Sequence, residues 1–158
     1  MPNETLQKIL QQKEITTDDQ IIFRTIFDVL STLFTDENHL STLTSGYNIN
    51  HYQQVWFPNI VPLQQKELAI KKGYANYMSD DWTYIYYFNG TNNLIKQQKL
   101  GEKQLHHKTQ LITFAKLNEK KFGIGYHFVG VFTFIGFLDQ DCKTMIYQKI
   151  KNSYHFNK

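Results

Sequence analysis

Residues 82–88 read Trp-Thr-Tyr-Ile-Tyr-Tyr-Phe, and this stretch decides the fold class. Aromatic and β-branched side chains suit a pleated, half-buried surface, so the run reads as a strand. Alternation sets Trp82, Tyr84, Tyr86 and Phe88 on one face and Thr83, Ile85 and Tyr87 on the other. Asn89-Gly90 follows directly, and this dipeptide tolerates the positive φ of a type I′ turn. The pattern predicts a hairpin whose return strand is Leu94–Gln98.

Toward the C-terminus, Leu111–Leu117 alternates moderately and reads as a second strand. A polar turn covers Lys116–Lys121. Tyr126–Leu138 (Tyr-His-Phe-Val-Gly-Val-Phe-Thr-Phe-Ile-Gly-Phe-Leu) is a long strand bent at Gly130 or Gly136. Thr144–Ile150 closes the set after the turn Asp139-Gln140-Asp141. Leu100–Thr109 fits no single pattern.

Toward the N-terminus, residues 3–13 read as a short helix. Thr16-Thr17-Asp18-Asp19 is a helix start, a capping residue followed by acids in the first turn. The spacing of Ile22, Ile26, Val29, Leu30 and Leu33 carries that helix to Phe34. A short helical turn is expected over His39–Leu43. Ser45–Pro62 reads as an irregular, aromatic connection, and Pro62 opens a helix that runs to Lys72 and stops at Gly73. The fold class is therefore α+β. A mainly helical part (1–72) precedes a mostly antiparallel, strongly bent sheet or small β-barrel (82–150), in a single domain over 1–158. Short connections favour a meander.

Composition sets bounds on function. Hydrophobic residues make up 41% and charged residues 20% of the 158, which excludes a disordered chain. Aromatics reach 15%, enough for both a core and a stacking surface. The net charge is only +3, but it is unevenly spread. Asp18, Asp19, Asp28, Asp36 and Glu37 lie early, whereas lysines dominate from Lys96 onward. An anionic partner would meet the C-terminal half. The one cysteine, Cys142, excludes an internal disulfide and a cysteine-based zinc site. The N-terminus lacks a basic and apolar leader, and the longest apolar stretch is too short for a membrane span. A cytoplasmic location without membrane contact is the expectation.

The six histidines show no HExxH or related ligand spacing, and no glycine-rich phosphate loop precedes a helix. Neither metal nor cofactor is expected, and no catalytic residue stands out. Two alternatives remain open. Asp81, Glu119 and Lys121 supply the letters of a metal-dependent nuclease. The aromatic loop Tyr47–Phe57, with Trp56 and Phe57, and the apolar helix offer surfaces for a homodimer or larger complex.

A family resemblance rests on motif order. A polar loop, Leu105-His106-His107-Lys108-Thr109-Gln110, leads into the strand Leu111–Lys116. Tyr126-His-Phe-Val-Gly130 and the closing strand Thr144–Ile150 follow. Over residues 82–150 this order resembles the PUA-like and SRA-like β-barrel modules of modification-dependent restriction endonucleases. The resemblance implies a non-catalytic module that binds duplex DNA and flips a modified base into an aromatic pocket. Trp82, Tyr84 and Tyr86 would stack on the base, while His106, His107 and Gln110 would bond base edges. Lys103, Lys108, Lys120 and Lys121 would contact phosphates, each neutralised phosphate adding about −0.9 to the salt slope.

Overall fold

A computed structural model describes residues 2–34, 46–91 and 94–157. In chain order its elements are α1 (Pro2–Gln12), β1 (Glu14–Thr16), β2 (Ile22–Phe23), α2 (Ile26–Val29), β3 (Gly46–Asn48) and β4 (Gln53–Trp56). Then come α3 (Lys66–Lys71), β5 (Tyr74–Met78), β6 (Tyr84–Asn89), α4 (Leu94–His107), β7 (Gln110–Lys116), β8 (Tyr126–Phe137), β9 (Thr144–Lys151) and β10 (Ser153–His155). Short 3-10 turns sit at Thr17–Asp19, Leu63–Gln65 and Lys120–Phe122, and one π turn covers Leu30–Phe34.

The main sheet runs β3-β4-β7-β8-β9-β6-β5, with β2 paired to β8. Its central ladders are antiparallel, but β4 runs parallel to β7. It is mixed and bent rather than a meander. Two isolated bridges, Asn59 with Lys116 and Ile60 with Asn76, carry the end of β4 toward β5. No continuous ladder closes the barrel there. A separate small sheet pairs β1 with β10.

Both faces of β7 and β8 are covered, so their sequences are continuous apolar runs. Ile112, Phe114, Phe128 and Val131 face an outer layer made by Ile9, Ile15, Phe23, Val29, Leu30 and Leu33. Leu111, Ala115, Val129, Phe132 and Phe134 face the inside of the bend, against Ile85, Met145 and Tyr147. β8 stays paired across its curve by slipping register at Val131/Phe132 and at Phe134/Gly136. Gly130 makes the bend possible. Its φ of 127° and the Lys151 carbonyl oxygen 2.8 Å from any added Cβ leave room for no other residue.

Several expectations need correction. The helix expected from Thr17 to Phe34 is broken, because Gln20 turns left-handed and Ile22–Phe23 pairs with β8. The capping residues still act, on shorter units. The Thr16 N–H donates to Asp19 Oδ2 at 2.8 Å, and the Thr25 hydroxyl accepts from the Asp28 N–H at 3.0 Å. The connection over Ser45–Pro62 holds strands β3 and β4. Asn89-Gly90 is not a hairpin turn, and the return strand over Leu94–Gln98 is the first part of helix α4. The β6 partners are instead β9 and β5, the latter a strand the sequence pattern did not reveal. The helical turn expected over His39–Leu43 lies outside the described residues.

Helix α4 crosses the sheet on Gln97, Gly101 and Gln104, spaced along one stripe. At Gly101 a Cβ would sit 2.8–2.9 Å from the rings of Phe134 and Phe137. Gly101→Val is therefore expected to cost about 1–3 kcal/mol, the usual range for overpacking. Denaturant titration with an unchanged slope checks it.

Candidate nucleic-acid interface

Register divides the bend into two ends. One end holds the start of β5, the end of β6, the start of β7 and the last turns of α4. The other holds the β5–β6 and β7–β8 turns. Strands β5 and β6 separate these ends by roughly 17 Å at about 3.3 Å per residue.

Tyr74, Asn76 and Met78 alternate onto the inner face of β5, opposite Asn89, Tyr87 and Ile85. Asn76 is only 2% exposed, and its Oδ1 has no hydrogen-bond partner. Its Nδ2 donates to the Tyr74 hydroxyl at 3.1 Å. Tyr74 is 49% exposed, and its ring meets Tyr87 edge-on at 5.7 Å. Burial and the neighbouring Tyr87 push the Tyr74 phenol above its ordinary value, against the Asn76 hydrogen bond, so it stays neutral. A buried acceptor left bare costs about 1–3 kcal/mol, and here two phenol rings flank it. Such an arrangement suits a planar group that carries an N–H.

Next along the inner face lies Tyr147. Burial raises its phenol strongly, against the hydrogen bond to Gln104. Its hydroxyl donates to Gln104 Oε1 at 3.0 Å, and its ring lies 5.0 Å from Trp56 and 5.7 Å from Phe134. Gln104 also lines a cavity of about 310 Å³ beside β3–β4, which Lys103, His107, Gln54 and Thr109 share.

The residues singled out by sequence divide between the two ends. Lys103, His106, His107, Lys108 and Gln110 lie at the Tyr74 end. His106 is exposed, its ring against His107, and Lys108 ends the helix with φ 51°. Gln110 accepts from the Gln53 amide at 3.1 Å. Trp82, Lys120 and Lys121 lie at the opposite end. Trp82 precedes β6 rather than starting it, with φ 61°, and its ring meets Phe122 edge-on at 5.5 Å. Trp82, Lys121 and Phe122 line two adjoining concavities of about 180 and 320 Å³. Tyr84 and Tyr86 belong to neither site. They alternate to the outer face, where Tyr86 stacks on Tyr77 at 5.0 Å. The expected stacking trio is thus not brought together.

The residues of the nuclease alternative are engaged locally. Asp81 Oδ1 accepts from the Thr83 N–H and the Ser79 hydroxyl, which hold its carboxyl below the usual range. Lys121 pairs with Glu119 at 3.8 Å. No group of three His, Cys, Asp or Glu comes together among the described residues. The assembly surface offered by the aromatic loop is largely internal, since Phe57 is buried and Trp56 packs on Tyr147. No helix among the described residues is long and apolar enough to cross a membrane.

The sequence pattern did not single out Tyr74, Asn76 and Tyr87. The signal was present as a period-two pattern, Tyr74-Ala-Asn76-Tyr-Met78, with a carboxamide at a strand's inner position.

Comparison with known proteins agrees with this architecture. No curated protein matches the chain in sequence. Among solved structures, it is similar to the 5-hydroxymethylcytosine-specific restriction enzyme AbaSI, with a TM-score of 0.69 and 16% identity. That match covers 97% of this chain and 45% of the enzyme's, so the chain spans less than half its length. The model of the SET and RING associated (SRA) domain matches residues 8–156. With nearly its whole length matched, the chain belongs to the SRA family, whose members bind DNA.

Proposed function

We propose that this SRA domain reads a modified cytosine by drawing the base out of the duplex and against Tyr74, Asn76 and Tyr87, with Tyr74 displaced to open the way to Asn76. The bare Oδ1 of Asn76 carries the cytosine part of the reading, because the N4 amine, shared by plain and modified cytosine, is a donor in search of an acceptor, and the modification follows from the family. Tyr87 forms the floor. Tyr74 lies over Asn76 and swings aside to admit the base, then stacks on it. Lys103 and Lys108, at the same end, contact the flanking phosphates. Lys120 and Lys121 reach phosphates about five base pairs away, at about 3.4 Å per step. The domain itself performs no bond cleavage in this reading.

The test is equilibrium titration of duplexes that differ only in one cytosine, plain or 5-hydroxymethylated. A 2-aminopurine beside it reports unstacking. The modified duplex should bind more tightly and give a fluorescence rise. Tyr87→Ala should weaken it about tenfold, since one stacked base is worth about 1–3 kcal/mol. Equal affinities with no fluorescence rise would sink the proposal. A second reading places the base in the 320 Å³ concavity beside Trp82, rimmed by Lys121. Its mark would be a tenfold loss in Trp82→Ala with Tyr87→Ala unaffected.

A further inference from the structure

The turn between β7 and β8 carries Ile124, which is 79% exposed, more than any other large apolar residue among the described residues. A single exposed apolar side chain is common and by itself means little. Ile124 differs in how it is held. At Gly125 (φ 135°) an added Cβ would lie 2.5 Å from the Phe23 carbonyl oxygen, and at Gly123 (φ 86°) one would lie 2.5 Å from Ile22 Cδ1. The two glycines let the turn press flat on β2, and Ile124 between them projects into solvent. Hydrogen bonds pin the turn from both sides. Asn118 Nδ2 donates to the Ile60 carbonyl at 2.8 Å, the Gly123 N–H donates to the Lys120 carbonyl at 3.1 Å, and His127 Nε2 donates to the Gly123 carbonyl at 3.1 Å. The tip is therefore placed before any ligand arrives.

The rim around the tip is basic. Lys116 and Lys120 line a concavity of about 380 Å³ beside Ile124. The Lys121 side chain is 71% exposed, and Glu119, the one acid of the turn, is 25% exposed and pairs with Lys121 at 3.8 Å. An apolar tip between cations fits a partner that presents phosphates on either side of an apolar slot. A base step of duplex DNA is such a partner. A protein surface is not, because one side chain backed by Ile22 falls far below the roughly 800 Å² per partner of a standard interface.

We infer that Ile124 is a wedge that enters the minor groove and inserts between two stacked base pairs, kinking the duplex, while Lys116 and Lys120 hold the phosphates on either side. Apolar wedges of this kind bend DNA by roughly 20–90°. The cost of unstacking is offset by the phosphate contacts that the bent duplex brings to the lysines. The wedged step keeps both of its base pairs and is separate from the base that is drawn out. The two ends of the bend lie roughly 17 Å apart, which is about five base pairs at about 3.4 Å per step. That spacing rests on the Tyr74–Tyr87 reading, whereas the insertion rests only on DNA binding by the family.

The experiment uses short duplexes with a dye at each end, plain or carrying one 5-hydroxymethylcytosine, and walks a 2-aminopurine along them. On the modified duplex the wild-type chain should shorten the end-to-end distance and raise the fluorescence at a second step, about five base pairs from the modified cytosine. Ile124→Ala should abolish the bend and that second signal and weaken binding about tenfold. Its preference for modified over plain cytosine should stay. Ile124→Leu should keep the bend. The side chain is exposed, so thermal unfolding of both variants should match the wild type. A straight duplex in the wild-type complex overturns the inference, and so does a bend that survives Ile124→Ala. So does an unstacking signal confined to the modified cytosine, which would make Ile124 a filler of the place the base has left. Failure of the base cleft reads separately, as equal affinity for modified and plain cytosine with the end-to-end distance still shortened.

Discussion

Asn76→Val is expected to leave the fold as stable as the wild type, or slightly more stable, while affinity for the modified-cytosine duplex falls roughly 30- to 100-fold. The two effects have one origin. The wild-type chain carries a bare Oδ1 inside the bend, and a bare buried acceptor is a standing cost. Valine removes it and suits a strand position. The Tyr74 hydroxyl loses the Asn76 donor, but Tyr74 is half exposed and water replaces it. Binding loses the one acceptor available to the N4 amine, whose water is stripped on entry without compensation. Thermal unfolding and the paired-duplex titration together check the sign of each. A clear loss of stability with affinity intact would make Asn76 a structural residue.

The second large effect belongs to Phe114. Phe114→Ala should lower stability by about 3–5 kcal/mol, a large fraction of what a domain of this size holds. Phe114 is fully buried, and its ring meets Phe23 at 5.9 Å, Phe34 at 6.1 Å, Phe57 at 6.1 Å and Phe128 at 5.3 Å. It is where the N-terminal elements, the β4 extension and the central strands converge. Those neighbours lie on separate elements anchored elsewhere, so they cannot all move into the space. Chemical denaturation read by both near-UV and far-UV signals checks it. A loss under 1 kcal/mol would mean the outer layer collapses freely onto the gap.

The central strands were legible because both their faces are covered. Leu111–Leu117, Tyr126–Leu138 and Thr144–Ile150 announce themselves as apolar runs, and each lies within a residue or so of its element. The stretch 20–34 was not legible. Its helical spacing is real, but Ile22 and Phe23 gain more by adding a rung to β8 than by continuing a helix. Asn89-Gly90 misled for a related reason. The dipeptide permits a tight turn, yet β6 already has β9 and β5 on its two edges and no place for a returning strand. Nor could adjacency in sequence show that Trp82 and Tyr84 would part. Positive φ at Trp82 breaks the alternation just before the strand begins. The lysines and the His106–Gln110 loop were visible as chemistry. Their nearness to Tyr74 depends on α4 being a helix, which folds the loop back to the same end as the start of β5.

Asn76 holds one more connection. Its backbone carbonyl accepts from the Val61 N–H at 2.8 Å, at one of the two bridges that carry the β4 extension across to β5. The residue whose side chain carries the bare acceptor is thus also the latch between the β4 extension and β5. A grip on the side chain tightens or strains that latch directly. In the proposed reading, a base held by the Asn76 side chain therefore also loads the backbone at Ile60 and Val61.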